Sequence, residues 1–255
     1  MTVTLDMRKQ VVLDMAKKFE LNMEKKGIIT FPVLRTRAAI DKSGSMEGNF
    51  RNGYVGRSVD RFIAAALKFD DNGELEIGFF DTNFEETPVA TLEDAGQYMI
   101  TKGARIYANG GTEFAPIVAW TLEEDTREGA AQQASGGFFG GIKKLFGAAP
   151  APVASTLPDC GQYTGIITDG ANNDKGAFEA LLKKTDAKDS FFQFIGIGGS
   201  VDVSYLDSLE RRFPNVGFVH IKDPRKVDDD AFYELLANDR FVDWVAAYNS
   251  ARGIK

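Results

Sequence analysis

One cysteine and one histidine in 255 residues remove several familiar chemistries at once. Cys160 alone cannot close an internal disulfide, and a single thiol fits a reducing compartment, so we read the chain as cytoplasmic. With so little thiolate and imidazole, a site for a soft metal is also out of reach. Basic charge is scarce: 30 Lys and Arg against 37 Asp and Glu leave a formal charge of −7, and no Lys/Arg block interleaved with aromatics is present. Nucleic acid is therefore excluded as the main partner, because phosphate binding needs a clustered basic surface. No apolar run approaches the roughly 18 residues that a spanning helix needs, and Met1 to Lys26 carries charges throughout, which argues against both a membrane span and a secretory leader. No G-x-x-x-x-G-K-[ST] nucleotide loop can be read either.

What remains is a chain with 44% hydrophobic residues, enough for one large α/β domain with a filled core. Met7 to Lys26 predicts an amphipathic helix, with Val11, Val12, Met15, Phe19 and Met23 at helical spacing, packed on the flank of a domain that begins near residue 30. Strands are expected at Leu34 to Asp41 and Glu74 to Asp81, with a helix between them at Tyr54 to Phe69. The Pro88 to Leu92 segment suits an edge strand, where proline is tolerated, and Glu113 to Glu124 a helix with Pro116 in its first turn. Residues 126–158, rich in Gly, Ala and Pro, read as a flexible insertion. Alternation then resumes with strands at Tyr163 to Asp169, Phe191 to Ile197 and Val216 to Ile221. Helices are expected at Asp174 to Lys188, Tyr205 to Phe213 and Asp230 to Ala237. Such a rhythm predicts a three-layer, doubly wound α/β fold: a mostly parallel, Rossmann-like central sheet with one antiparallel edge strand and helices on both faces. In sheets of this kind ligands bind beyond the carboxyl ends of the strands.

Three of those carboxyl ends carry an acid, Asp41, Asp81 and Asp169, of which Asp81 is assigned no role. Ile40-Asp41-Lys42-Ser43-Gly44-Ser45 places one carboxylate and two hydroxyls on a tight turn, a donor set suited to a hard divalent cation. Asn109-Gly110-Gly111-Thr112 and Ile167-Thr168-Asp169-Gly170 add a further hydroxyl and a further carboxylate. Taken singly, each segment is an ordinary turn or helix cap, and Asp174 suits the N-cap of its own helix. Their order along the chain, D-x-S-x-S, then G-G-T, then a strand ending in T-D-G, resembles the metal-ion-dependent adhesion site (MIDAS) of von Willebrand factor A (VWA) domains.

The likeness extends further. Asn52-Gly53-Tyr54-Val55, Asp71 to Glu76 running into Phe79-Phe80-Asp81, Ala115-Pro116, Phe191 to Gly198, and Tyr233 through Asp243-Trp244 to Ile254 resemble the tellurium-resistance, TerF-type VWA domains over residues 30–255 outside the insertion. That resemblance implies a non-enzymatic, divalent-cation-dependent binding module of a stress-resistance system. Ser43, Ser45 and Thr112 would supply neutral hydroxyls to Mg²⁺, with Mn²⁺ or Ca²⁺ as alternatives, while Asp41 and Asp169 accept hydrogen bonds from bound water or hydroxyl. An ion so held keeps an open position for an acidic side chain of a protein partner, such as another product of a stress-response cluster. The resemblance also places apolar residues where Arg35 and Arg37 stand, which points to a first strand that starts later than Leu34. It leaves no room before residue 30 for the calcium-binding stress domain that accompanies some relatives. The competing reading is a serine hydrolase using Ser43 or Ser45 with His220, but Asp41 stands two residues before Ser43, where a nucleophile elbow demands a small residue.

Overall fold

A computed structural model describes residues 4–122 and 160–254 of the chain; the expected insertion at 126–158 lies outside the described residues. Six strands form one sheet in the order β3-β2-β1-β4-β5-β6. They are β1 Leu34–Asp41, β2 Leu75–Phe80, β3 Phe84–Ala90, β4 Gly161–Thr168, β5 Ser190–Ile197 and β6 Val216–Ile221. All neighbours are parallel except β2 and β3. β3 is the antiparallel edge strand, and it begins four residues before the expected Pro88. It carries Pro88 and is largely exposed, as suits a strand with one free edge.

Helices cover both faces. On one lie α1 Leu5–Lys25, α3 Tyr54–Phe69, α7 Asp229–Leu236 and α8 Asp239–Arg252, whose buried side chains join Leu34, Ala38 and Ile40 of β1 in one apolar cluster. α1 packs on α3 and α7 through Val12, Met15, Phe19 and Met23, while Val11 faces outward, contrary to its place in the expected stripe. On the other face lie α4 (115–122), α5 Lys175–Leu182 and α6 Val203–Arg212, where Phe114, Phe178 and Phe194 pack with centroids 5.2–5.9 Å apart. Burying such a ring stabilises by about 1.5–3 kcal/mol, so this triad anchors the start of α4 to the sheet.

Three further expectations change. The first strand does not start late: Arg35 and Arg37 lie within β1, 6% and 0% exposed. Arg37 is accommodated because its Nε donates to Glu76 (2.6 Å), its Nη1 donates to Gln162 and its guanidinium lies 5.3 Å from the Trp120 ring centroid. A buried charge is tolerable when paired and hydrogen-bonded in this way. α5 ends at Leu182 rather than Lys188, because the chain turns there and the Thr185 hydroxyl caps the Leu182 carbonyl at 2.8 Å. α8 is an addition to the expected alternation, begun by Asn238, whose side chain accepts from the Phe241 N–H, and ended by Gly253 at φ 67°. A short helix, α2 Glu47–Arg51, also follows the Ser-Gly-Ser turn.

Candidate metal centre

β1 and β4 are hydrogen-bonded neighbours, so Asp41 at the end of β1 and Asp169, one residue beyond β4, emerge on the same rim of the sheet. The rim gathers all five residues singled out above. Asp41 is fully buried; its Oδ1 accepts from the Ser43 N–H at 2.7 Å and its Oδ2 from the Thr168 hydroxyl at 2.6 Å. Ser43 Oγ lies 3.1 Å from Ser45 Oγ, and the Ser45 hydroxyl donates to Asp169 Oδ1 at 2.6 Å. Thr112, from the second of the three segments, lies beside Gly170 on the same rim. A Cβ built on Gly170 would lie 2.9 Å from Thr112 Oγ1, so glycine after Asp169 is what admits that hydroxyl.

The electrostatics of the rim are unbalanced. Burial pushes the Asp41 carboxyl up to about 6, against the pull of the Ser43 and Thr168 hydrogen bonds, and the negative charge of Asp169 adds to the rise. Burial likewise raises Asp169, offset in part by the Ser45 hydroxyl. Among the described residues no Lys or Arg eases either group. The cation next in the chain, Lys42, is turned away to Asp81, with Nζ 2.7 Å from Oδ2. Burial alone would raise Asp81 too, but Lys42 and the Asn83 N–H outweigh it and hold that carboxyl below its ordinary value. Two buried acids among hydroxyls, with no Lys or Arg beside them among the described residues, suit a small hard ion. Among the described residues no three His, Cys, Asp or Glu side chains converge, so a cation held here would rely on hydroxyl oxygens.

Several participants are not evident from the motif alone. Thr168 supports Asp41 from the neighbouring strand, and the Asn49 amide in α2 lies 3.4 Å from Asp169 Oδ2. Asp174 is corrected in role. It precedes α5, but its carboxylate makes no bond to that helix; instead it accepts from the Phe114 and Ala115 N–H groups at 3.0 and 2.8 Å, capping α4 from another part of the chain. His220 is not brought to the serines. It stands on β6, three strands from β1 or about 14 Å at the usual strand spacing, and its Nε2 is 2.7 Å from the Gly198 carbonyl oxygen. A cleft of about 710 Å³ lies against α2 and is lined by Phe50, Met99, Ile106 and Tyr107 among others, but by none of the five rim residues.

No helix among the described residues is long and apolar enough to cross a membrane. Comparison with known proteins agrees with the architecture. The Bacillus subtilis (strain 168) protein YcbR is 27% identical over 214 residues, covering 82% of this chain and 76% of YcbR. Among solved structures, a von Willebrand factor type A protein from Catenulispora acidiphila is similar with a TM-score of 0.52 at 13% identity, over 83% of this chain and 43% of that one. Proximal thread matrix protein 1 from the mussel byssus, solved with a zinc-occupied MIDAS motif, gives a TM-score of 0.52 at 15% identity, over 84% of this chain and 49% of that one. This chain thus spans less than half the length of these two solved chains, and at such identities the likeness is one of fold. Residues 33–254 match the model of the VWA domain found at the C-terminus of TerF, and the chain belongs to this vWA-TerF-like family.

Proposed function

We propose that the rim holds a divalent cation, Mg²⁺ in the first instance with Mn²⁺ or Ca²⁺ as alternatives, and that the domain binds a protein partner through it. Ser43, Ser45 and Thr112 would hold the ion directly, with Asp41 and Asp169 behind them orienting hydroxyls and water. A bound ion would supply positive charge to a partner's Asp or Glu carboxylate on the surface of an acidic protein. The observation that carries this reading is the pair of buried carboxylates from adjacent strands, ringed by hydroxyls and, among the described residues, left without Lys or Arg support. The zinc-occupied MIDAS of the mussel protein supports it by analogy of fold. Oxygen donors of this kind favour harder ions than zinc.

On this reading the protein is a non-enzymatic module of a cytoplasmic stress-resistance system of the tellurite type, the role that its family suggests. Isothermal titration of the wild type and Asp41→Ala with Mg²⁺, Mn²⁺ and Ca²⁺ tests the cation. Wild type should release heat that the variant does not, and indistinguishable titrations would refute the site. A pull-down with and without EDTA, repeated with Asp169→Ala, tests the partner: capture should need both the metal and the carboxylate.

A further inference from the structure

We propose that the Lys42–Asp81 ion pair is a positioning device that sets the spacing between the Ser43–Ser45 turn and the Thr112 segment, and through it the grip on the cation. This rests on the reading of the rim as a divalent-cation site. Lys42 and Asp81 are the first residues beyond the paired ends of β1 and β2, where Asp41 faces Phe80 and the Lys42 N–H donates to the Phe80 carbonyl at 2.7 Å. Their side chains meet at 2.7 Å and are only 13% and 7% exposed.

The same two residues also hold the Thr112 segment by their backbones. The Asn109 N–H donates to the Lys42 carbonyl at 2.7 Å, and the Glu113 N–H donates to the Asp81 carbonyl at 2.9 Å. The segment from 109 to 113 is therefore slung between two anchors, and the ion pair fixes how far apart those anchors lie. Gly110, at φ 75°, rests on the pair, since a Cβ there would sit 3.2–3.3 Å from atoms of the Asp81 side chain. Its carbonyl in turn accepts from the Gly44 N–H at 3.2 Å, inside the turn that carries both serines. The Ser43–Ser45 turn and the Thr112 segment are thus held together through contacts that run back to Lys42 and Asp81. Neither residue touches the hydroxyl cluster through its own side chain.

The sign of one variant separates this role from simple electrostatics. Lys42 is a positive charge beside a cation site, so by charge alone Lys42→Met would tighten Mg²⁺ binding. As a positioning residue its loss should weaken binding about tenfold, the lower end of what the loss of a supporting partner does to metal affinity. Isothermal titration with Mg²⁺ should show that weakening, with Lys42→Arg closer to wild type than Lys42→Met. Asp81→Asn should weaken binding too. The double variant Lys42→Met with Asp81→Asn should lose about tenfold rather than the hundredfold of independent effects. Hydrogen exchange in EDTA, which needs no metal, should show faster exchange at the Asn109 and Glu113 amides in Lys42→Met. Should Lys42→Met fold poorly for leaving Asp81 unpaired, the double variant, which buries no lone charge, carries the comparison. Mg²⁺ binding equal to or tighter than wild type in both variants overturns the proposal while leaving the cation site standing. Absence of Mg²⁺ heat in wild type overturns the cation reading and this inference with it.

Discussion

Replacing Asp41 by Asn should make the metal-free protein more stable while abolishing its response to Mg²⁺. Burial moves the Asp41 carboxyl from 3.8 to about 6. The folded protein thus holds that proton more tightly than the unfolded chain does. The contribution to stability is complete below pH 4 and is lost as the pH climbs through 6. At about 1.4 kcal/mol per pH unit, an ionised Asp41 in the metal-free fold costs about 3 kcal/mol above pH 6. Asparagine is nearly isosteric and escapes that cost. Its amide oxygen can still accept from the Ser43 N–H, while its NH₂ must donate to the Thr168 hydroxyl, which donates to Asp41 in the wild type. Allowing about 1 kcal/mol for the poorer hydrogen bond leaves a net gain of about 2 kcal/mol, or about 4–8 °C in Tm for a domain of this size. The assay is thermal and urea denaturation in EDTA at pH 8 and pH 4.5, then with Mg²⁺ at pH 8. Asp41→Asn should be the more stable at pH 8, and the gap should nearly close at pH 4.5. Mg²⁺ at a hundred times its Kd should raise the wild type by about 2.7 kcal/mol and leave the variant unmoved. A metal-free variant no more stable than wild type at pH 8, or a gap that persists at pH 4.5, would refute the reasoning that an ionised Asp41 destabilises the metal-free fold.

Asp174→Ala removes the carboxylate that caps two N–H groups at the start of α4 and should lower stability by about 2 kcal/mol; faster amide exchange at Phe114 and Ala115, with α5 unaffected, would locate the effect. Arg37→Ala leaves Glu76 short of a buried partner and opens space beneath Trp120, so the urea midpoint should fall by the equivalent of about 3 kcal/mol. Mg²⁺ binding should survive in that variant, since Arg37 sits four residues, or about 13 Å along the strand, from Asp41.

The alternation of apolar runs with helical stripes made most of the sheet legible, because the parallel strands are largely buried on both faces and carry short apolar runs such as Ala38-Ala39-Ile40 and Phe194-Ile195. β6 and α3 have the limits that their residues suggest. Arg35 and Arg37 could mislead because a buried arginine is comprehensible only once Glu76, Gln162 and Trp120 are known to surround it, and none is near in sequence. α8 carries plain signals: Asn238 before it, Gly253 after it, and Phe241, Trp244, Val245 and Tyr248 on one stripe. It is not followed by a strand, so the βα rhythm gives no prompt for it. At the rim, the strand-end acids and the hydroxyl turn are visible as local motifs. Thr168 as support for Asp41, Asp174 as cap for α4, and Lys42 as partner of Asp81 are not, because each depends on which strands or loops become neighbours.

The order of the segments also has a practical consequence for the polypeptide as a whole. Asp41, Ser43, Ser45 and Thr112 all precede residues 123–159, whereas Asp169 follows them, and the two parts are joined in the sheet by the β1–β4 ladder from Leu34–Gly161 to Ile40–Ile167. α4 runs from the rim, where Asp174 holds its start, toward Trp120 over Arg37, and β4 begins at that same far end. Cutting the backbone within 123–159 would therefore leave two fragments, each with an incomplete set of oxygens. On the proposed cation reading, Mg²⁺ should then promote their reassembly, a consequence that a fragment-complementation assay with and without EDTA would read.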